Sequence, residues 1–369
     1  MDILAVFNAK GGVGKTTTAV NLAVCFAAMG RKVMLFDLDA QGNATTSLGQ
    51  AVLPSIGTFD VVTGAATLKE ARLPTFIDDL SLVGATTSLA VVDIEKTKKK
   101  RDHHVMRKIA MAHKDTIDIV VLDCPPAFGE LTVNALVSAH AVVIPSPPTP
   151  YAHDGLIRTW TVLSRIRTTL NHSLRVIGVL PTFLHGEEVN EPAGDVVSAC
   201  DSSILSAMNA EYGDLVHPDG IPLNSELFIA AAAKGIPACV LEPNTAASLA
   251  YVEVAARILP REKKGKTKHA GFRWFKEDEP ADSETMKTAV KKLNEFRKKA
   301  DGQGLLSTNI NIPDVDKDAL DMVSQLNAID EDIDSKIRPF TLGLAFLGVT
   351  LLAGVVGFLI AWASYNGLL

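Results

Sequence analysis

Eight consecutive residues, Lys10-Gly11-Gly12-Val13-Gly14-Lys15-Thr16-Thr17, carry the clearest chemistry in the chain. Glycines let several backbone N–H groups converge on one anion, and a helix that starts there turns its positive end toward it. Lys15 adds a full positive charge, and the Thr16 hydroxyl is a ligand type that Mg2+ accepts. That combination suits a nucleoside triphosphate. The setting agrees: the apolar run Ile3 to Phe7 reads as a strand before the loop, and residues 14 to 29 read as a helix laid on a sheet, ended by Gly30. A glycine-rich turn with incidental lysines would lack this strand, loop and helix order. Lys10 is the unusual member, a second lysine at the mouth of the loop.

Two more polar stretches follow short apolar runs. Val33 to Phe36 reads as a buried strand that delivers Asp37-Leu38-Asp39-Ala40-Gln41-Gly42-Asn43-Ala44-Thr45 to its carboxyl end. Ile117 to Leu122 does the same for Asp123-Cys124-Pro125-Pro126. Ligands of open parallel sheets sit at those carboxyl ends, so the aspartates should arrive beside the phosphate loop. An aspartate there is the expected anchor for Mg2+, and the two prolines make a stiff turn placed to sense a terminal phosphate. A turn rich in Asp, Asn and Gly with no catalytic duty is the alternative for residues 37 to 45. Further strands are expected at Ala141 to Ile144, Val176 to Leu180 and near Ala238 to Leu241. The alternation of strands and helices predicts an α/β fold with a doubly wound, mostly parallel sheet.

The frame around these motifs is globular. The chain has 369 residues, 47% hydrophobic and 21% charged, enough for one large α/β domain and something more. A net charge of −6 makes no global case for nucleic acid. Cys25, Cys124, Cys200 and Cys239 are scattered, which argues against a disulfide framework or a zinc site and for a reducing compartment. The N-terminal apolar run is too short for a secretory signal.

Taken together and in this spacing, the three motifs resemble the deviant Walker ATPases of the ParA/MinD family, the ParA/Soj branch most. The likeness continues through Leu131 to Leu136 and Pro147 to Leu156, more faintly through Ile221-Pro222-Leu223-Asn224 and Gly235-Ile236-Pro237, and covers roughly residues 1 to 260. The resemblance implies a P-loop ATPase that uses ATP and Mg2+ and forms a homodimer in the ATP state, with slow turnover that an activator or cargo protein stimulates. It implies that Gly11, Gly12, Val13, Gly14 and Lys15 cradle the phosphates and that Lys10 reaches across to the partner's nucleotide. It further implies that Thr16 ligates Mg2+, Thr17 contacts the α-phosphate, Asp39 positions the attacking water with Asn43 nearby, and Asp123 holds Mg2+ through water. Where relatives carry arginines that help bind DNA, this chain has Leu223 and Glu226, which weakens the case for DNA.

Beyond residue 260 the composition changes. Residues 261 to 282 form a basic and aromatic, then acidic, linker, whose Lys263, Lys264, Lys266 and Lys268 interleave with Phe272, Trp274 and Phe275; a solvated linker, a lipid contact and a nucleic-acid contact all fit it. An earlier cluster, Lys96 to Arg101 with His103 and His104, reads as a solvated helix start or loop, or as a phosphate- or partner-binding contact. Residues 283 to 338 read as a helical stalk or partner-binding segment, with stripes at Met286, Val290, Leu293 and Phe296 and at Leu320, Val323, Leu326, Ile329 and Ile333. Phe340 to Ala363 has 24 positions and no charge. At about 1.5 Å per residue that length spans a hydrocarbon core of about 30 Å with tilt. Residues 339 to 364 are therefore expected to be a transmembrane helix, and Lys336 and Arg338 on its N-terminal side place the ATPase domain in the cytoplasm, at the cell inner membrane. Ala353, Gly357 and Ala361 form a small-residue ridge that would let two such helices meet. Three functions compete on the sequence: a membrane-anchored switch that positions or regulates a membrane-associated assembly, a nucleotide-binding scaffold with little turnover, and a DNA-partitioning protein.

Overall fold

The computed structural model describes residues 1–89, 105–185, 192–259, 272 and 282–307. Its centre is a seven-stranded sheet in which β1 (Asp2–Val6), the first segment of the chain, lies between β5 (Ile119–Asp123) and β6 (Ala141–Ser146). The remaining strands are β2 (Val33–Asp37), β3 (Arg72–Pro74), β4 (Leu80–Val83) and β7 (Arg175–Pro181), and the order across the sheet is β3-β4-β2-β5-β1-β6-β7. All pairs are parallel except β3 with β4. Pro74 ends the antiparallel edge strand, where a missing N–H costs no ladder bond. The central strands are buried on both faces, which is why they appear in sequence as unbroken apolar runs.

Side chains leave β1 alternately for two cores. Leu4 and Val6 join Leu35 and Val121 under α1 (Lys15–Ala28), while Ile3, Ala5 and Phe7 join Met34, Phe36, Val120 and Leu122 on the other face. The short helices α2 (Asn43–Ser47), α3 (Thr58–Thr63) and α4 (Leu68–Ala71) follow β2. On the second face lie α5 (Val105–Ala112), α6 (Glu130–Ser138), α7 (Pro150–Thr169) and α8 (Pro192–Tyr212). The helix expected over residues 14 to 29 is α1, closed by Gly30 at φ +78 with Arg31 N–H donating to Phe26 O.

After α8 come α9 (Ser225–Lys234), α10 (Ala238–Leu241) and α11 (Ala246–Ile258). The strand expected near Ala238 to Leu241 is instead the helical turn α10, with Leu241 N–H donating to Pro237 O at 2.9 Å. Four apolar residues, all buried, have no polar face to reveal their period, and Pro237 caps the turn.

The last described helix, α12 (Ser283–Gly302), changes the domain boundary. Its Ala289, Leu293, Phe296 and Ala300 are buried in the same core as α1, against α1, α10 and α11. Asp282 caps it by accepting from Glu284 N–H and Thr285 N–H, both at 3.3 Å. Arg297 holds Glu242 with two bonds of 3.1 and 3.2 Å, Lys299 holds Asp78 at 2.6 Å, and Lys234 Nζ donates to Leu306 O at 2.6 Å. The first stripe of the expected stalk is therefore a docked face, and the compact unit runs from Met1 to Asn309 rather than ending at 260. Phe272 is likewise buried, its ring 6.1 Å from that of Phe26, so it anchors the chain to α1 and is not at a lipid surface. Among the described residues no helix is long and apolar enough to cross a membrane. The expected transmembrane segment 339–364, the second stripe Leu320 to Ile333, Trp274, Phe275, the linker lysines and the cluster Lys96 to His104 lie outside the described residues.

Candidate functional site

Strand register brings the three motifs to one place. Val6 pairs with Asp123, and Asp123 with Asp37, so the loops that follow β1, β5 and β2 leave the sheet side by side. Between β1 and α1 the chain turns at Gly12 (φ +70) and Gly14 (φ +86), a region that disfavours other residues. A Cβ built on Gly11 or Gly12 meets nothing within 4 Å, which leaves an open cradle over the backbone. Val13 is buried and its carbonyl accepts from Thr182 Oγ1 at 3.1 Å. Asn21 Nδ2 fixes the Thr17 carbonyl at 2.8 Å.

Lys15 is 93% withdrawn from solvent and its Nζ donates to Lys10 O at 2.6 Å. Burial lowers its pKa, while Asp123, Cys124 and Asp39 pull in the other direction. Asp123 is fully buried, and neither carboxylate oxygen has a hydrogen-bond partner. Burial first, then the negative charge of Asp37, raises its pKa well above the usual carboxylate range; the Thr16 hydroxyl and Lys15 oppose this. Two orphaned buried oxygens facing a lysine and a threonine hydroxyl form a cation site in chemical terms, because an Mg2+ ion would satisfy them. The residues therefore fit Mg2+ with a triphosphate: Thr16 and Asp123 would hold the ion, and the glycines with Lys15 would hold the phosphates. Bound there, Mg2+ supplies neutralisation of the charge that develops on the phosphoryl group.

Asp37 is a functional residue that the sequence reading did not single out. Its Oδ2 accepts from Thr45 N–H at 2.8 Å and Thr45 Oγ1 at 2.6 Å, and its Oδ1 accepts from Asp39 N–H at 3.2 Å. Burial is the main reason its pKa rises to about 6. Asp37 thus holds the loop that carries Asp39, whose own Oδ1 accepts from Gln41 N–H at 3.0 Å. Asp39 is half-buried at the rim, and Asn43 is exposed at the start of α2. The available signal was position: Asp37 is the last residue of a buried strand, Asp39 the second residue beyond it. Leu223 and Glu226 are both exposed, far along the chain at the start of α9.

One other cluster among the described residues brings three ligand-type atoms within 4.8 Å of one another, from His217, Asp219 and Glu253. His217 Nδ1 accepts from Asp219 N–H at 3.3 Å and Gly220 N–H at 3.2 Å, so the ring proton sits on Nε2, which faces Glu253 at 3.7 Å. That tautomer leaves no lone pair for a cation on the side facing Glu253.

Residues 1–176 match a protein-family profile described as an AAA domain. The chain is similar to the chromosome partitioning protein ParA of Caulobacter vibrioides, at 33% identity over 73% of this chain and 98% of that protein. It belongs to the ParA/Soj family of P-loop ATPases. Within that family it is also similar to the sporulation initiation inhibitor protein Soj of Bacillus subtilis, at 32% identity over 69% of this chain and 97% of that one. Among solved structures, cobyrinic acid a,c-diamide synthase from Mycobacterium smegmatis, with bound ADP and magnesium, superposes with a TM-score of 0.58 at 28% identity, covering 70% of this chain and 93% of that one. For a ParA/Soj-family chain the arrangement above is in order: phosphate loop, two aspartate loops and an orphaned carboxylate converge at the carboxyl ends of neighbouring strands.

Proposed function

We propose that this ParA/Soj-family chain is an ATP-driven dimerisation switch. The observation that carries the reading is the pair of unpartnered Asp123 oxygens beside Lys15 and Thr16, under an open glycine cradle. ATP occupies the cradle with Mg2+ on Thr16 and Asp123, and Thr17 contacts the α-phosphate. Asp39, carried on the loop that Asp37 holds, positions the attacking water with Asn43 nearby. Lys10 lies at the mouth of the loop and completes the site of a second copy in the ATP state. A site finished only by dimerisation turns over slowly until a partner protein stimulates it, which suits a timer.

The switch works while held at the inner membrane by residues 339–364, and it positions or regulates a membrane-associated assembly. What supports this is composition: 24 uncharged positions with Lys336 and Arg338 on one side only. A second reading, DNA partitioning, is favoured by the likeness to the chromosome partitioning protein of Caulobacter. Against it stand Leu223 and Glu226, since phosphate neutralisation by Lys and Arg supplies most nonspecific DNA affinity.

The test is phosphate release by the full-length protein, alone and with membrane extracts, beside Asp39→Ala. Release above the variant's level establishes the switch. ATP binding without any such release establishes the scaffold reading instead. Recovery of the chain in a soluble fraction after hydrolysis would overturn the membrane reading, and strong salt-sensitive binding to a random DNA duplex would replace it with partitioning.

A further inference from the structure

Lys10 sits on a short stretch whose backbone is fixed by one side chain of its own, Asn8, and one from α7, Thr159. Asn8 is fully buried at the end of the strand region, with Nδ2 donating to Pro145 O at 2.8 Å. Its Oδ1 accepts Lys10 N–H at 3.0 Å. Thr159, fully buried on α7, accepts Ala9 N–H on its hydroxyl at 3.0 Å. The single hydroxyl proton of Thr159 is shared between Asn8 Oδ1 at 3.0 Å and Gly155 O at 2.7 Å. Two successive N–H groups of the loop, those of Ala9 and Lys10, are thereby tied to side chains more than a hundred residues of fold apart in origin, one from β1's end and one from α7.

Gly155 completes the arrangement. It lies inside a twenty-residue helix, where glycine is less favourable than alanine. A Cβ there would stand 3.0 Å from Lys10 Cβ, 3.4 Å from Lys10 Cδ and 3.6 Å from Asn8 Oδ1. The missing side chain is the space through which the Lys10 side chain runs along α7. On the other side, Lys10 O accepts Lys15 Nζ. Lys15 is also the residue that would turn to the phosphates, and that turn takes one hold on Lys10 away. The holds from Asn8 and Thr159 do not depend on Lys15.

We propose that Asn8, Gly155 and Thr159 act as positioning residues that aim Lys10 in the nucleotide-loaded protein, and that α7 is the element which sets its direction. The proposal rests on the reading of Lys10 under Proposed function. A misplacement on the order of 1 Å in such a group lowers turnover by up to about a hundredfold.

The experiment uses the full-length protein. ATP turnover and the dimer fraction in ATP are measured for Thr159→Val, Gly155→Ala, Thr159→Ser and Lys10→Ala, and for Thr159→Val combined with Lys10→Ala. We expect Thr159→Val and Gly155→Ala to lower kcat at least about tenfold and to reduce the ATP-state dimer, with KM for ATP changed less than about twofold, because the glycine cradle and Lys15, which hold the nucleotide within each copy, are untouched. Thr159→Ser keeps the hydroxyl and restores both readouts. In the Lys10→Ala background Thr159→Val has no further effect, since it acts through Lys10. If Lys10→Ala alone leaves turnover and dimerisation intact, the underlying reading of Lys10 fails. If Lys10→Ala lowers both while Thr159→Val and Gly155→Ala change neither, or if Thr159→Val lowers them equally with and without Lys10, the positioning proposal fails and the reading of Lys10 stands. Should Thr159→Val not fold, Gly155→Ala decides on the same two readouts.

Discussion

Replacing Phe296 by alanine tests whether α12 is part of the ATPase domain. Phe296 is 1% exposed and shares its core with Leu293, Ala289 and the helix α1 that begins at Lys15. Truncating a buried phenylalanine costs about 3–5 kcal/mol, from lost transfer energy and the cavity left behind. The ion pairs on the same helix cannot substitute for it. Arg297 with Glu242 and Lys299 with Asp78 are both more than a third exposed, and such pairs contribute at most about 1 kcal/mol each. Against a typical total of about 5–15 kcal/mol the loss is large, and at about 2–4 °C per kcal/mol it lowers the melting point by roughly 6–20 °C. The assay is a thermal melt of the full-length protein beside Lys291→Ala, an exposed residue on the same helix that should stay within about 0.5 kcal/mol of wild type. A Phe296→Ala melt within about 1 kcal/mol of wild type would refute the docking argument. A fragment cut at residue 260 should melt lower still, since it leaves the α12 face of α1 bare.

Three more outcomes follow from the site and its surroundings. Asp123→Asn removes a buried charge and should raise the melting point without ligand at pH 8, while abolishing the stabilisation of about 2.7 kcal/mol that Mg2+ with ATP gives at a hundredfold excess over Kd; an undiminished ligand shift in the variant would show that Asp123 does not serve the ion. Gly12→Ala should cost only about 1–2 kcal/mol of stability for its φ of +70, yet weaken ATP binding at least about tenfold in calorimetry, because its methyl group points into the open cradle. His217 is held neutral, its pKa pushed down to about 3 by burial and then by Arg257. The unfolded imidazole takes its proton near pH 6.5, so this stability is present above pH 6.5 and is lost as pH falls toward 3, by about 1.6 kcal/mol between 6.5 and 5. Denaturant midpoints across that range should fall less steeply in His217→Gln, and parallel curves would rule the imidazole out.

The phosphate loop and the central strands were legible because their chemistry is restrictive. An anion cradle demands glycine and lysine at fixed places, and a strand buried on both faces must be apolar throughout, as Ile119 to Leu122 is. Asp37 was harder: sequence placed two aspartates after one strand, and only the burial of the first shows that it holds the loop while the second faces the rim. The short strands β3 and β4 went unread because three or four residues, one of them Pro74 and another Ser81, carry too little period. The stripe on α12 announced a buried face, but periodicity names no partner, and a stalk and a docked helix have the same pattern. The turn α10 looked like a strand because a short buried run lacks any polar side.

The position of β1 also has a consequence for biosynthesis. Residues 2 to 6 leave the ribosome well before their sheet neighbours, residues 119 to 123 and 141 to 143. At about 5–20 residues per second, the nascent chain carries an apolar strand without its ladder for roughly 6–25 s before β5 and β6 emerge. The nucleotide loop cannot be held in place sooner, because Asp123 and the β6 end that supports Asn8 do not yet exist. ATP therefore cannot assist folding before residue 145 has been made. The burden of keeping that strand from pairing wrongly falls on chaperones and on the speed with which β5 slots beside it.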